Sequence, residues 1–190
     1  MKCYIPFKNI DLSPYIGEIF SVSLPAPILT TDKKFALGQL SVATNQFGTA
    51  FFDLATSDSY QSQVPYTLTY SNIFTYNFYL GSAAQPINIL GTATGRSFTK
   101  QVILTLLTAD GYPLRTVVKI SLLNPQIDVE KNLIWGQLSL KTSYQGTVKF
   151  TIIPSDLINN AYYQLSFLDR TYYFTIPSNA TEPYNLVMVI

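Results

Sequence analysis

The side chains able to do chemistry are few and far apart. Asp58 and Asp156 each follow a Ser, Asp128 and Glu130 give the densest acidic spacing with Lys131 directly after them, and Cys3 is the one thiol. A glycosidase needs two carboxylates about 5 to 10 Å apart. One aspartate in each half of the chain supplies no such pair, and Asp is at home in turns, so both are read as turn or cap residues. No run of oxygen ligands resembling a calcium loop surrounds Asp128 and Glu130. The chain has no His. Intrachain disulfides, Cys/His zinc sites, Ser-His and Cys-His nucleophile pairs and histidine acid–base work are therefore excluded. The expectation is a protein that is not an enzyme, with no catalytic residue, no cofactor and no metal. Asn179-Ala180-Thr181 matches a glycosylation sequon. The opening Met-Lys-Cys-Tyr-Ile-Pro-Phe-Lys puts Pro6 and Lys8 where a signal peptide needs its apolar segment, which predicts no export and no sugar.

What must position any site is then read from composition. A chain of 190 residues allows one or two domains, each with a real core. Lys plus Arg is 12 and Asp plus Glu 11, and a net charge of +1 creates no field to gather nucleic acid or an acidic membrane surface. Charged residues are 12% and hydrophobic ones 47%, so with Ser, Thr, Asn and Gln supplying 57 of the 190, surface polarity rests on neutral hydrogen-bonding groups. Thr, Tyr, Phe, Val and Ile favour strands, while the strong helix formers Glu, Lys, Arg and Ala are sparse. The chain is predicted to be all-β. Its apolar runs fall far short of the roughly 20 residues of a membrane helix.

An internal repeat organises the chain. An offset of 98 superposes Ile19 to Leu24 on Val117 to Leu122, Gly38-Gln39-Leu40-Ser41 on Gly136-Gln137-Leu138-Ser139, Thr44 on Thr142, Gly48-Thr49 on Gly146-Thr147, and Ser57-Asp58 on Ser155-Asp156. The offset then shrinks to 97 or 96, pairing Tyr66 with Tyr163, Phe78 with Phe174 and Pro86 with Pro183. The Gly/Thr/Ser stretch 91–97 is the linker, which places copy one at 1–95 and copy two at 96–190.

Apolar residues alternate within each copy, as in strands with one face on a core. Phe20, Val22 and Leu24, then Ala50, Phe52 and Leu54, then Tyr66, Leu68 and Tyr70, then Tyr76, Phe78 and Leu80 are expected to point inward, with their equivalents in copy two. About seven short strands per copy make two tandem antiparallel β-sandwiches. Gly48 and Gly146 are expected to close hairpins at positive φ. The segment 184–190 is apolar almost throughout and reads as a strand buried on both faces, either within copy two or by pairing with a neighbouring subunit.

The motif Gly-Gln-Leu-Ser-x-x-Thr-x-x-x-Gly-Thr-x-x-Phe, at Gly38 to Phe52 and again at Gly136 to Phe150, resembles the strand-turn-strand core of immunoglobulin-like and transthyretin-like modules. Such modules recur in bacterial adhesins and tailed-phage virion proteins. The resemblance implies a stacked pair of modules for structure or attachment. With no signal after Met1, the expectation is a phage virion component, assembled in the host cytoplasm: a tail, baseplate or fibre connector, or else a capsid decoration protein. Expected partners are other virion proteins and further copies in a symmetric assembly, with a cell-surface glycan as the alternative.

Candidate interface residues follow from parity. Strict alternation puts Phe35, Leu37, Leu133 and Trp135 on a solvent face as an apolar stripe. If Gly38 and Gly136 mark bulges that flip the parity, the same residues return to the core. Exposed tyrosines such as Tyr60, Tyr144, Tyr162 and Tyr173 offer flat contacts to a protein or a sugar ring, and Tyr144 and Tyr173 complete the candidate interface.

Overall fold

A computed structural model of the chain describes residues 1–31, 33, 35, 36, 38–59, 64–81 and 85–190, with Phe35 and Asp58 described by backbone alone. In chain order the strands are β1 (Lys2–Lys8), β2 (Ile19–Ser23), β3 (Ile28–Leu29), β4 (Phe35–Ala36), β5 (Gln39–Ala43), β6 (Thr49–Asp53), β7 (Tyr66–Tyr70), β8 (Phe74–Phe78) and β9 (Ile87–Asn88). They continue as β10 (Lys100–Leu107), β11 (Val117–Leu122), β12 (Gln126–Ile127), β13 (Leu133–Ile134), β14 (Gln137–Lys141), β15 (Thr147–Ile152), β16 (Tyr163–Phe167), β17 (Arg170–Phe174) and β18 (Tyr184–Val189). Short 3-10 turns stand at Ser57–Ser59 and Ser155–Ile158, and the described residues form no α-helix. The chain forms two compact units. The first is Met1–Phe7, Pro14–Ala93 and Lys131–Leu133; the second is Lys8–Ser13, Thr94–Glu130 and Ile134–Ile190.

In the first unit the order β5–β2–β7–β8 makes an antiparallel sheet, and β6 and β9 flank β1, with β9 parallel to it. The second unit repeats this as β14–β11–β16–β17 and β15–β10–β18, with β18 parallel to β10 over Val102↔Tyr184 to Leu107↔Val189. Each unit is thus a two-sheet sandwich, the all-β tandem architecture expected from the alternation. The period of two is what builds it. Phe20, Val22, Ala50, Phe52, Tyr66, Leu68, Tyr70, Phe78 and Leu80 are buried, as are Val118, Ile120, Leu122, Phe150, Ile152, Tyr163, Leu165, Phe167, Phe174 and Ile176. In the second unit Val102, Leu104 and Leu106 of β10 meet Val118 and Ile120 of β11 in one cluster, so both sheets contribute to a single core.

Two predicted features take a different form. The segment at β18 alternates: Tyr184, Leu186, Met188 and Ile190 pack half-buried on the core while Asn185, Val187 and Val189 are exposed. Burial on both faces is corrected to burial on one, because only one layer covers the sheet. The glycines before β5 and β14 lie between strands rather than within one. Gly38 (φ +152°) separates β4 from β5, and Gly136 (φ +127°) stands between β13 and β14. Each pair of strands belongs to different sheets, so the chain turns a corner there.

Candidate functional site

The corner at Gly136 decides where the proposed apolar stripe goes. Both residues of β13 are buried, and Leu133 has 0% exposure, so Leu133 is removed from the candidate interface. Trp135 is half-buried against the second core, and its backbone N–H donates to the Lys8 carbonyl at 3.1 Å. Strict alternation fails at this point because the strand has already ended at Ile134. Leu37 and the side chain of Phe35 lie outside the described residues, as does Tyr60. Tyr144 is 80% exposed in the turn between β14 and β15, and Tyr173 is 58% exposed on β17. One face of the Tyr144 ring carries the Arg115 guanidinium, 3.9 Å from the ring centroid.

The buried polar groups, by contrast, converge on the backbone, and they do so twice. Thr44 Oγ1 accepts the Glu18 N–H at 3.0 Å and donates to the Tyr15 carbonyl at 2.7 Å. Thr142 Oγ1 accepts the Thr116 N–H at 2.8 Å and donates to the Leu114 carbonyl at 2.9 Å. Ser57 Oγ accepts the Leu80 N–H at 2.9 Å, as Ser155 Oγ accepts that of Ile176 at 3.0 Å. The hydroxyls of Tyr66 and Tyr163 donate to the carbonyls of Ala55 and Ile153 at 3.0 and 2.6 Å. These residues stood out in the repeat, but their bonds did not, since each reaches a backbone group brought near only by folding. The recurrence of a hydroxyl in both copies was the available signal.

The carboxylates serve the same end. Asp156 Oδ1 accepts the Ser178 N–H at 2.8 Å and Oδ2 accepts the Ser178 hydroxyl, tying a loop to the second 3-10 turn. Buried Asp128 accepts from Ser97 Oγ at 2.7 Å. Lys100, also buried, donates from Nζ to the Ala180 carbonyl at 2.5 Å. Among the described residues no three His, Cys, Asp or Glu side chains gather as a metal set. Burial pushes the Cys3 thiol up, so little thiolate is present at neutral pH.

Two tyrosines report on this packing. Burial pushes the Tyr163 hydroxyl far above the ordinary tyrosine range; burial and then the Glu18 carboxylate, which accepts its hydrogen bond at 2.7 Å, do the same to Tyr70. A folded-state value raised above the unfolded one leaves stability intact below about pH 10, the free tyrosine value, and erodes it as pH rises beyond. An absorbance titration is therefore expected to show these two hydroxyls ionising only together with loss of β circular dichroism. Ionisation of all 14 tyrosines in the folded state would contradict this.

No protein-family model matches the chain, and neither does any curated protein. Solved structures do. The minor pilin of the Gram-positive pathogen Streptococcus agalactiae aligns with 15% identity over 100% of this chain and 94% of its own, at a TM-score of 0.44. A streptococcal ancillary pilin aligns with 12% identity over 100% of this chain and 61% of its own, at 0.41. A shaft pilin from Lactobacillus rhamnosus GG aligns with 12% identity over 99% and 97%, at 0.33. These are pilins. On that finding the expectation of a phage virion component is withdrawn, whether as tail, baseplate or fibre connector or as capsid decoration, together with its location in a virion and its virion partners.

Proposed function

We propose that this chain is a non-catalytic structural module that works by assembling with protein subunits. The observation that carries this reading is where its polar chemistry is spent. The buried hydroxyls of both copies hold backbone groups at matching places, leaving the faces to carry the function. Those faces suit protein contact. Outward residues such as Ser139, Gln164 and Tyr173 are neutral, with Lys119 and Lys141 as charges beside them, so most of this face is buried against a partner without stripping water from a charge. A glycan finds less here, since Arg115 already covers one face of Tyr144.

Cross-linking in cells that make the chain, followed by mass spectrometry, tests the proposal. Lys119, Lys141 and Lys149, on exposed strand faces of the second unit, are expected to link to other protein subunits. Recovery of the chain only as an unlinked monomer, or a substrate turned over by the purified chain, would overturn it.

A further inference from the structure

We propose that the free edge of β18 is an interface between copies of this chain, two β18 strands pairing antiparallel about Val187. The inference rests on the assembly reading above and names its partner. β18 ends the sheet β15–β10–β18, with no strand on its other side among the described residues. The N–H of Ile190 donates to the Leu107 carbonyl, so by the alternation of a strand the backbone groups of Leu186 and Met188 also face β10. Those of Asn185, Val187 and Val189 face away, an open row that offers a template for another strand.

The other copy of the sandwich serves as an internal control. There the matching strand is only Ile87–Asn88, the following Ile89 and Leu90 are buried, and Gly91 and Thr92 come next. The fold does not require six residues of strand at this place. The second copy nevertheless extends them, with Val187 at 59% and Val189 at 62% exposure. They stand in register opposite Thr105 and Leu107 of the neighbouring strand. On the inward side Leu186 and Met188 are only half-covered, as befits an edge awaiting a neighbour.

The uncharged, self-compatible sequence of this edge suits a second copy as the occupant. Exposed edges are usually blunted by Lys, Pro or a bulge. Tyr184–Val189 contains no charged residue and no Pro, so laid antiparallel on itself it brings no like charges together. Centring on Val187 sets Val187 against Val187 and Asn185 against Val189, and every outward N–H meets an outward carbonyl. The product is one continuous sheet across a two-fold axis, an isologous contact.

The full chain is tested by sedimentation velocity across concentration, with amide exchange read in parallel. A dimer is expected, with exchange at Val187 and Val189 slowing as concentration rises. Val187→Lys places two like charges directly opposite and is expected to raise the dimer dissociation constant roughly tenfold or more. Val187→Glu should do the same, and mixing the two variants should restore a heterodimer. A monomer at every concentration, or a dimer indifferent to both substitutions, overturns the proposal. Should either variant fail to fold by circular dichroism, exchange in the unsubstituted chain decides: rates at Val187 and Val189 that do not depend on concentration overturn it. A monomer that still cross-links to other subunits in cells would sink the β18 pairing and leave the assembly reading standing.

Discussion

Gly146→Ala is expected to destabilise the second unit by about 3 kcal/mol or more, from two causes that add. Gly146 has φ +69°, where any L side chain is strained, typically by about 1–2 kcal/mol. A Cβ built there would also lie 2.5 Å from the Leu106 carbonyl oxygen and 3.0 Å from the Leu114 nitrogen. Both are backbone atoms, one in β10 and one in the loop that follows it, so no rotamer change relieves the clash. Gly111 supplies the control, with φ +81° and nothing within 4 Å of its Cβ position. Gly111→Ala should cost only the strain. Urea unfolding followed by the fluorescence of Trp135, the one tryptophan, reads the second unit, since its ring packs on that core. Equal midpoints for the two variants would show that the close approach at Gly146 contributes nothing. In the first unit Gly48 repeats the situation at φ +69°, against the Phe7 carbonyl and the Tyr15 nitrogen.

Thr142→Val is expected to cost about 2–3 kcal/mol although shape is nearly conserved, because it orphans a half-buried donor and a half-buried acceptor together. The Thr116 N–H loses its acceptor and the Leu114 carbonyl its donor, and at 3% exposure water cannot easily replace the hydroxyl. Thr142→Ser keeps the hydroxyl and should recover most of the loss, leaving about 1 kcal/mol for the missing methyl. The same urea midpoints measure it. If Thr142→Val matched Thr142→Ser, the side chain would be acting through packing alone.

How much of this was legible follows from the range of each interaction. Alternation of apolar residues depends only on a strand's period of two, so the inward sets of β2, β6, β7, β11, β15 and β16 could be read from neighbours in sequence. The positive φ of Gly48 and Gly146 was legible because the turn is local, but the expected hairpins are not formed: β5 and β6, like β14 and β15, belong to different sheets. Of the two readings of Leu133, strict parity failed and return to the core held: both Leu133 and Ile134 of β13 are buried, and the chain leaves that strand before Trp135. The apolar run at β18 suggested two covered faces, but how many layers lie against a sheet is a tertiary fact. The hydroxyl clamps were visible as matched letters and silent as bonds: Ser155 reaches Ile176 and Tyr163 reaches Ile153 only after the sheets have closed. The functional setting was the least legible part, since a sandwich fold does not carry a function by itself.

The parallel alignment of β10 with β18 has a mechanical consequence. Tension applied between the start of β10 and the end of β18 pulls along both strands in opposite senses. The hydrogen bonds from Val102↔Tyr184 to Leu107↔Val189 then bear the load together, in shear, instead of parting one by one. The first sandwich has the same geometry, and among the described residues its pairs in register are Cys3↔Ile87 and Tyr4↔Asn88. Under a stretching force it is the first sandwich that yields and the second that holds.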